Sequence, residues 1–183
     1  MTMDPTIPQN TAAAVPEPYW NLGRKIFLLW AVVILVGFTL TYFTRTINPT
    51  LVNLGWAGVS LAALVYMKRL MPFSDPGLRN LFLLWSVLIA LGIALTEGAF
   101  TVPILVFIAP NIGVFWLVLM ALGHALSGAL VRKKIYIATT AFQLAAALGA
   151  YLLIAGAPEY FAVQYLIVGV AGSLSMVILI FRA

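Results

Sequence analysis

Residues 82–96 read FLLWSVLIALGIALT, and fifty-five positions earlier residues 27–41 read FLLWAVVILVGFTLT. Nine of the fifteen positions are identical, among them Phe82, Trp85, Gly92 and Thr96 against Phe27, Trp30, Gly37 and Thr41. Both copies are apolar on every side rather than along one stripe, as a helix in lipid is. Basic residues stand just upstream of each: Arg24 and Lys25, then Arg79. Two copies in one orientation define a two-helix repeat. The expected fold is therefore all-α: an integral membrane protein of six transmembrane helices, arranged as three helical hairpins with a parallel internal repeat.

Composition agrees. Of 183 residues, 63% are hydrophobic and 8% charged, and mean hydropathy is +1.08. Soluble domains carry roughly a quarter charged residues, so too few charges remain to coat a soluble surface. The net charge of +5 does not point to nucleic acid, because the basic residues sit at the ends of apolar runs, where membrane topology explains them. The chain has no cysteine and one histidine, so no disulfide framework, thiolate site or multi-histidine metal site is expected within it.

Residues 1–24 are expected to be a polar cytoplasmic tail, with Pro5, Pro8, Pro16 and Pro18 and too little apolar surface to fold alone. No small-residue cleavage site follows the first apolar run, so a secretory signal is not expected. Residues 25–183 form the membrane domain, with spans expected at about 26–43, 51–67, 81–95, 112–131, 135–155 and 161–181. Asn48-Pro49, the loop MPFSDPG at 71–77, Arg132-Lys133-Lys134 and Pro158-Glu159 mark the turns. Residues 97–111 carry Pro103 and Pro110 and read as an apolar connection in the outer interface or dipping into the protein.

Six spans put both termini on one side. Nine of the ten basic residues fall on that side, and Arg45 alone falls opposite. The positive-inside rule then places both termini in the cytoplasm of a cell whose inner membrane holds the protein. The repeat extends weakly: Asn53-Leu54-Gly55 aligns with Asn111-Ile112-Gly113, and Gly37 and Gly92 with Gly149.

Small residues recur every four positions as Ala121, Ala125 and Ala129, and as Ala141, Ala145 and Gly149; Gly169, Gly172 and Ser173 form a third group. Such stripes let helices approach closely and predict a tight core of the last three spans, or a homo-oligomer face. Trp30, Trp56, Trp85 and Trp116 lie near span ends and read as interfacial belts.

His124 is an intramembrane ionisable residue, a functional candidate by default. Counted from the Arg132–Lys134 turn, Gln143 is expected at its depth as a hydrogen-bond partner. Ser127 shares its helix face. The commoner role for such a group is packing glue. The sharper one is axial ligation of a haem or chlorophyll-type pigment, although no cofactor is expected on the residues as they stand. Glu97 would serve a cation or proton with Thr96 and Thr101, or lie solvated at the interface.

No catalytic residues are expected: an orienting group and oxyanion hole for His124 and Ser127 are missing, and no acidic residue falls within a span to hold Mg²⁺. Two functions remain in view. One is an accessory or sensor subunit docking a protein partner or a second copy; the other is a transporter of a small neutral or lipophilic molecule, to which parallel repeats are suited. In both, lipid surrounds the chain.

Overall fold

The computed structural model describes residues 17–44, 46 and 48–182, and the side chains of 21–44, 46 and 48–181. Six α-helices follow one another: α1 (Glu17–Thr44), α2 (Pro49–Leu70), α3 (Pro76–Thr101), α4 (Ile112–Val131), α5 (Ile135–Gly156) and α6 (Val163–Arg182). No strand occurs among the described residues. Six helices are long and apolar enough to cross a membrane. Burial follows an inside-out pattern. Leucines and valines such as Leu28, Val32, Leu61 and Val87 face outward, while Asn53, His124, Thr139, Gln143, Gln164 and Ser175 are buried. Lipid on the outside rewards that arrangement and water would not. The chain is a multi-pass membrane protein.

Helix starts are written locally. Asn48 caps α2 by accepting from Thr50 N at 2.9 Å, and Asp75 caps α3 by accepting from Gly77 N at 2.7 Å and Leu78 N at 3.2 Å. Proline follows both caps at a position where its missing N–H costs nothing. The α4–α5 turn is made by Arg132, the one described non-glycine residue with positive φ (55°).

Several helices run longer than expected. Helix α1 begins at Glu17, so residues 17–24 of the expected tail are helical; Pro18 is tolerated there because it lies in the first turn. Residues 1–16 lie outside the described residues. Helix α3 runs on through Glu97 to Thr101 instead of stopping at 95. Its 26 residues span about 39 Å at ~1.5 Å each, a length that tilt accommodates. The true stop is Pro103, which holds Val102 extended (φ −114°, ψ 116°). Residues 103–111 then form 3₁₀ turns. Leu105 packs on Gly98, while Ile104 and Phe107 are exposed at 80% and 67%. The segment thus lies on the C-terminal end of α3 as an apolar ledge.

The helices close a ring. Helix α1 packs on α2, α2 on α3, α3 on α4, α4 on α6, and α6 back on α1; α5 lies outside, against α4 and α6. The widest interface joins α1 and α6. There the small residues of α6 do their packing: Gly169 sits against Phe38, Gly172 against Ile34, and Ser173 Oγ donates to Ala31 O at 2.7 Å. The expected core of the last three spans is therefore only partly right, since the α6 stripe faces α1. The α5 stripe also departs from expectation. Ala141, Ala145 and Gly149 face outward, as do Ala125 and Ala129 of α4. Thr139, Gln143, Ala147 and Ala150 carry the buried face of α5 instead.

Candidate functional site

The ring surrounds a partly open apolar cavity of about 150 Å³. Its walls come from α1, α2, α3, α4 and α6, with Tyr136 from α5. The lining runs from Gly23, Met71 and Leu78 at the basic end of the bundle to Phe38, Trp56 and Trp116 toward the other end. Arg24, Lys68 and Arg79 directly neighbour lining residues at the basic end in sequence.

The composition of the wall is selective. All four tryptophans with described side chains line it, and so do all four methionines among the described residues, Met67, Met71, Met120 and Met176. The tryptophans thus face inward, contrary to the belt expectation. Each indole N–H is satisfied inside, as a donor without water must be. Trp56 Nε1 donates to Thr41 Oγ1 at 2.9 Å, Trp116 Nε1 to Thr96 Oγ1 at 3.2 Å, and Trp85 Nε1 to Ser127 Oγ at 3.1 Å. Trp30 Nε1 donates to the Met67 sulfur at 2.8 Å.

Three of these four share one device. The glycine one turn before the accepting hydroxyl is the seat of the ring: Gly37 under Trp56, Gly92 under Trp116, Gly123 under Trp85. A Cβ on Gly92 or Gly123 would lie 2.6 Å from the indole above it. Glycine at i and Thr or Ser at i+4 put a flat seat and an acceptor on one helix face. That spacing, at 37/41, 92/96 and 123/127, was readable in the sequence as Gly-x-x-x-Thr/Ser.

His124 is fully buried and lines the cavity. Its ring meets Trp85 edge-on at 5.5 Å and Tyr136 at 6.1 Å between centroids. Nδ1 lies 2.7 Å from Thr139 Oγ1, and Nε2 has no partner. Nδ1 is thus turned onto α5. Gln143, the expected partner, is one turn too far along α5. The left-handed Arg132 reverses the chain at once, so Thr139 rather than Gln143 reaches the depth of His124. Ser127 is fully buried, and its described role is to hold Trp85 beside His124. Ser60, which the sequence reading did not single out, places a nearly buried hydroxyl residue in the α2 wall.

Gln143 is fully buried with neither amide atom partnered. A buried amide without partners costs stability, and an apolar replacement of similar shape removes that cost. Gln143→Leu is therefore expected to stabilise the protein by about 1 kcal/mol in reversible unfolding in mixed micelles. A lower stability would mean that the amide is satisfied in the membrane.

Glu97 stands apart from the cavity. Thr50 Oγ1 donates to its Oε1 at 2.9 Å and Asn53 Nδ2 to its Oε2 at 3.1 Å, which ties the start of α2 to the last turns of α3. Its expected partners are occupied elsewhere: Thr96 accepts from Trp116, and Thr101 donates to the Glu97 backbone carbonyl. Gln164, unnoticed in the sequence, is fully buried, accepts from Gly113 N at 2.7 Å and donates to Pro110 O at 3.2 Å. It caps the start of α4 from α6. Among the described residues no group of three or more His, Asp or Glu could hold a metal ion.

Comparison with protein-family models, with curated proteins and with solved structures finds no match to this chain. Function must therefore be argued from the site.

Proposed function

We propose that the protein is a carrier for a small, neutral, lipophilic molecule, which it takes up in the ring cavity. The observation that carries this reading is the cavity itself: apolar, central, and walled by every described tryptophan and methionine. Methionine side chains are flexible and polarisable and suit surfaces that adapt to varied apolar ligands. A scaffold or docking subunit has no use for a cavity between its helices, which forfeits packing contacts. A wall so poor in polar groups suits neither an ion nor a sugar.

Orientation follows from charge. The cavity's lining reaches the basic end, and the positive-inside rule makes that end cytoplasmic in a bacterial-type inner membrane. Both termini then lie in the cytoplasm, and the role is non-enzymatic.

Duplication of the first two hairpins is supported by the tryptophan geometry. Residues of α1 match residues of α3 at an offset of 55 (Trp30 and Trp85, Gly37 and Gly92, Thr41 and Thr96). Residues of α2 match those of α4 at an offset of 60 (Trp56 and Trp116, Met67 and Ser127). The added five fall in the connection that holds the 3₁₀ ledge. Asn53 and Asn111, aligned earlier at an offset of 58, have unlike partners: Ile93 and Glu97 for the first, Phe107 of its own segment for the second. Gly149 covers no tryptophan, so the third hairpin has no counterpart of the glycine seat. His124 stands where α2 has Leu64, and the asymmetry of the cavity begins there.

The interaction-subunit reading draws on the outward stripe of Ala141, Ala145 and Gly149, but small residues face lipid without penalty, so the cavity is the better guide. Haem or pigment ligation would use the same free Nε2. A void of about 150 Å³ favours a single ring over a macrocycle.

Native mass spectrometry of the gently purified full chain tests the carrier reading. One lipophilic adduct per chain is expected, distinct from annular phospholipid. A spectrum of bare protein, or of phospholipid alone, would contradict it.

A further inference from the structure

The cavity wall narrows the ligand class further, on the carrier reading above. We propose that the ligand is built of one hydrocarbon ring bearing a single carbonyl oxygen, and that this oxygen accepts a hydrogen bond from the Tyr136 hydroxyl.

Size sets the ring. An apolar cavity of about 150 Å³ is of the class that takes up one benzene ring. Most polar side chains of the wall are committed or shut away. The four described indole N–H groups donate within the protein, and His124 has no accessible surface. Two hydroxyls remain in the wall, Ser60 on α2 and Tyr136 on α5.

Tyr136 is the better anchor. Helix α5 lies outside the ring of helices, and Tyr136 is its one residue in the cavity wall. Its Cβ is seated on Gly128 of α4, 2.8 Å from where a Cβ on the glycine would lie, and its ring meets His124 edge-on. A side chain rooted outside the ring reaches the cavity with its far end, which is the hydroxyl. That hydroxyl bonds to no described residue, and it is not among the sealed unpartnered atoms, which are His124 Nε2 and both amide atoms of Gln143. It therefore borders open space. Tyr136 is only 6% exposed and stands in the cavity wall, so that space is the cavity.

A buried tyrosine O–H usually has a partner, and a donor left unmade in apolar surroundings is costly. Ser60 has a local remedy. A serine hydroxyl in a helix can donate to the carbonyl one turn back, as Ser86 does to Phe82 O and Ser175 to Ala171 O. The tyrosine hydroxyl is too far from its own backbone for that, so its partner must come from the cavity. A carbonyl oxygen supplies an acceptor and brings no charge. Tyr136 stands in the first turn of α5, so the oxygen lies toward the basic end and the hydrocarbon body toward Phe38, Trp56 and Trp116.

The test uses two ligands of one shape, cyclohexanone and methylenecyclohexane, in which C=CH₂ replaces C=O. Binding to the full chain in micelles is read from the rise of Tm with ligand concentration. The ratio of the two affinities is measured for the wild type and for Tyr136→Phe, because partition into the micelle cancels between chains. The ratio is expected to favour the ketone about fivefold more in the wild type, the worth of one hydrogen bond. Tyr136→Phe removes an oxygen that holds nothing in the protein. Should it still fail to fold, the infrared carbonyl band of cyclohexanone bound to the wild type decides: it is expected below its position in hydrocarbon solvent, and an unshifted band overturns the proposal. Equal ratios in the two chains also overturn it. A ratio kept by Tyr136→Phe but lost in Ser60→Ala overturns it as well, and moves the oxygen to α2. If neither ligand raises the wild-type Tm, the ketone assignment fails; another lipophile in the native mass spectrum then leaves the carrier reading in place.

Discussion

Gly92→Leu is expected to destabilise the protein by about 3 kcal/mol, the upper part of the usual range for forcing side-chain volume into a packed site. A Cβ at this position already lies 2.6 Å from Trp116 and 2.7 Å from Leu119. The longer side chain must lift the indole off its seat. That breaks the bond from Nε1 to Thr96 and leaves a buried N–H in a medium with no water to satisfy it. Nothing lies within 4 Å of a Cβ on Gly58, which faces outward on α2. Gly58→Leu is therefore the matched control, expected to leave stability unchanged. Reversible unfolding of both variants in mixed micelles measures the difference. Equal stabilities would show that Gly92 is not a seat and that α3 and α4 are held otherwise.

Gln164→Leu is expected to cost about 2–3 kcal/mol. Gln164 joins α6 to the start of α4 at two points, accepting from Gly113 N and donating to Pro110 O. Gly113 N stands in the first turn of α4, where N–H groups have no intrahelical acceptor, and Pro110 O near the end of the 3₁₀ segment, where carbonyls have no intrahelical donor. Leucine has the right size and neither hydrogen bond, so the variant isolates the polar contribution. Hydrogen exchange should also rise at the Gly113 amide while the middle of α4 stays protected. Gln164→Leu and Gln143→Leu make an informative pair. Both residues are fully buried glutamines, yet the first is expected to destabilise and the second to stabilise. Opposite signs follow from satisfaction of the amide; a common sign would mean that side-chain volume governs both sites.

The contrast between these glutamines shows what the sequence could carry. Hydropathy is a local property, so the six apolar runs and the duplicated 27–41 and 82–96 stretches were legible without coordinates. Helix faces were not. A span apolar on all sides carries no periodic signal for its buried side, which is why Ala141, Ala145 and Gly149 read as core although they face outward. Depth across a turn was misjudged by one helical turn, because nothing in Arg132-Lys133-Lys134 announces which residue turns left-handed. Thr139 took the place expected for Gln143 for that reason. The tryptophans were misread because a position near a span end suits both an interfacial belt and an inward ring. The Gly-x-x-x-Thr/Ser spacing opposite them was the signal that separates the two. His124 stood out in the sequence as a candidate, since a lone ionisable residue in an apolar span is conspicuous. The cavity beside it was not legible, because its lining is drawn from all six helices.

The central claim is that the ring cavity is where a lipophile binds. Ser60 lines that cavity on α2, and phenylalanine in its place would fill a ring-sized part of the void. The decisive measurement is native mass spectrometry of three chains purified alike: wild type, Ser60→Phe and the outward control Gly58→Phe. The adduct is predicted in the wild type and in Gly58→Phe at one per chain, and lost from Ser60→Phe. An adduct kept by Ser60→Phe at full occupancy would place the ligand elsewhere and contradict the account.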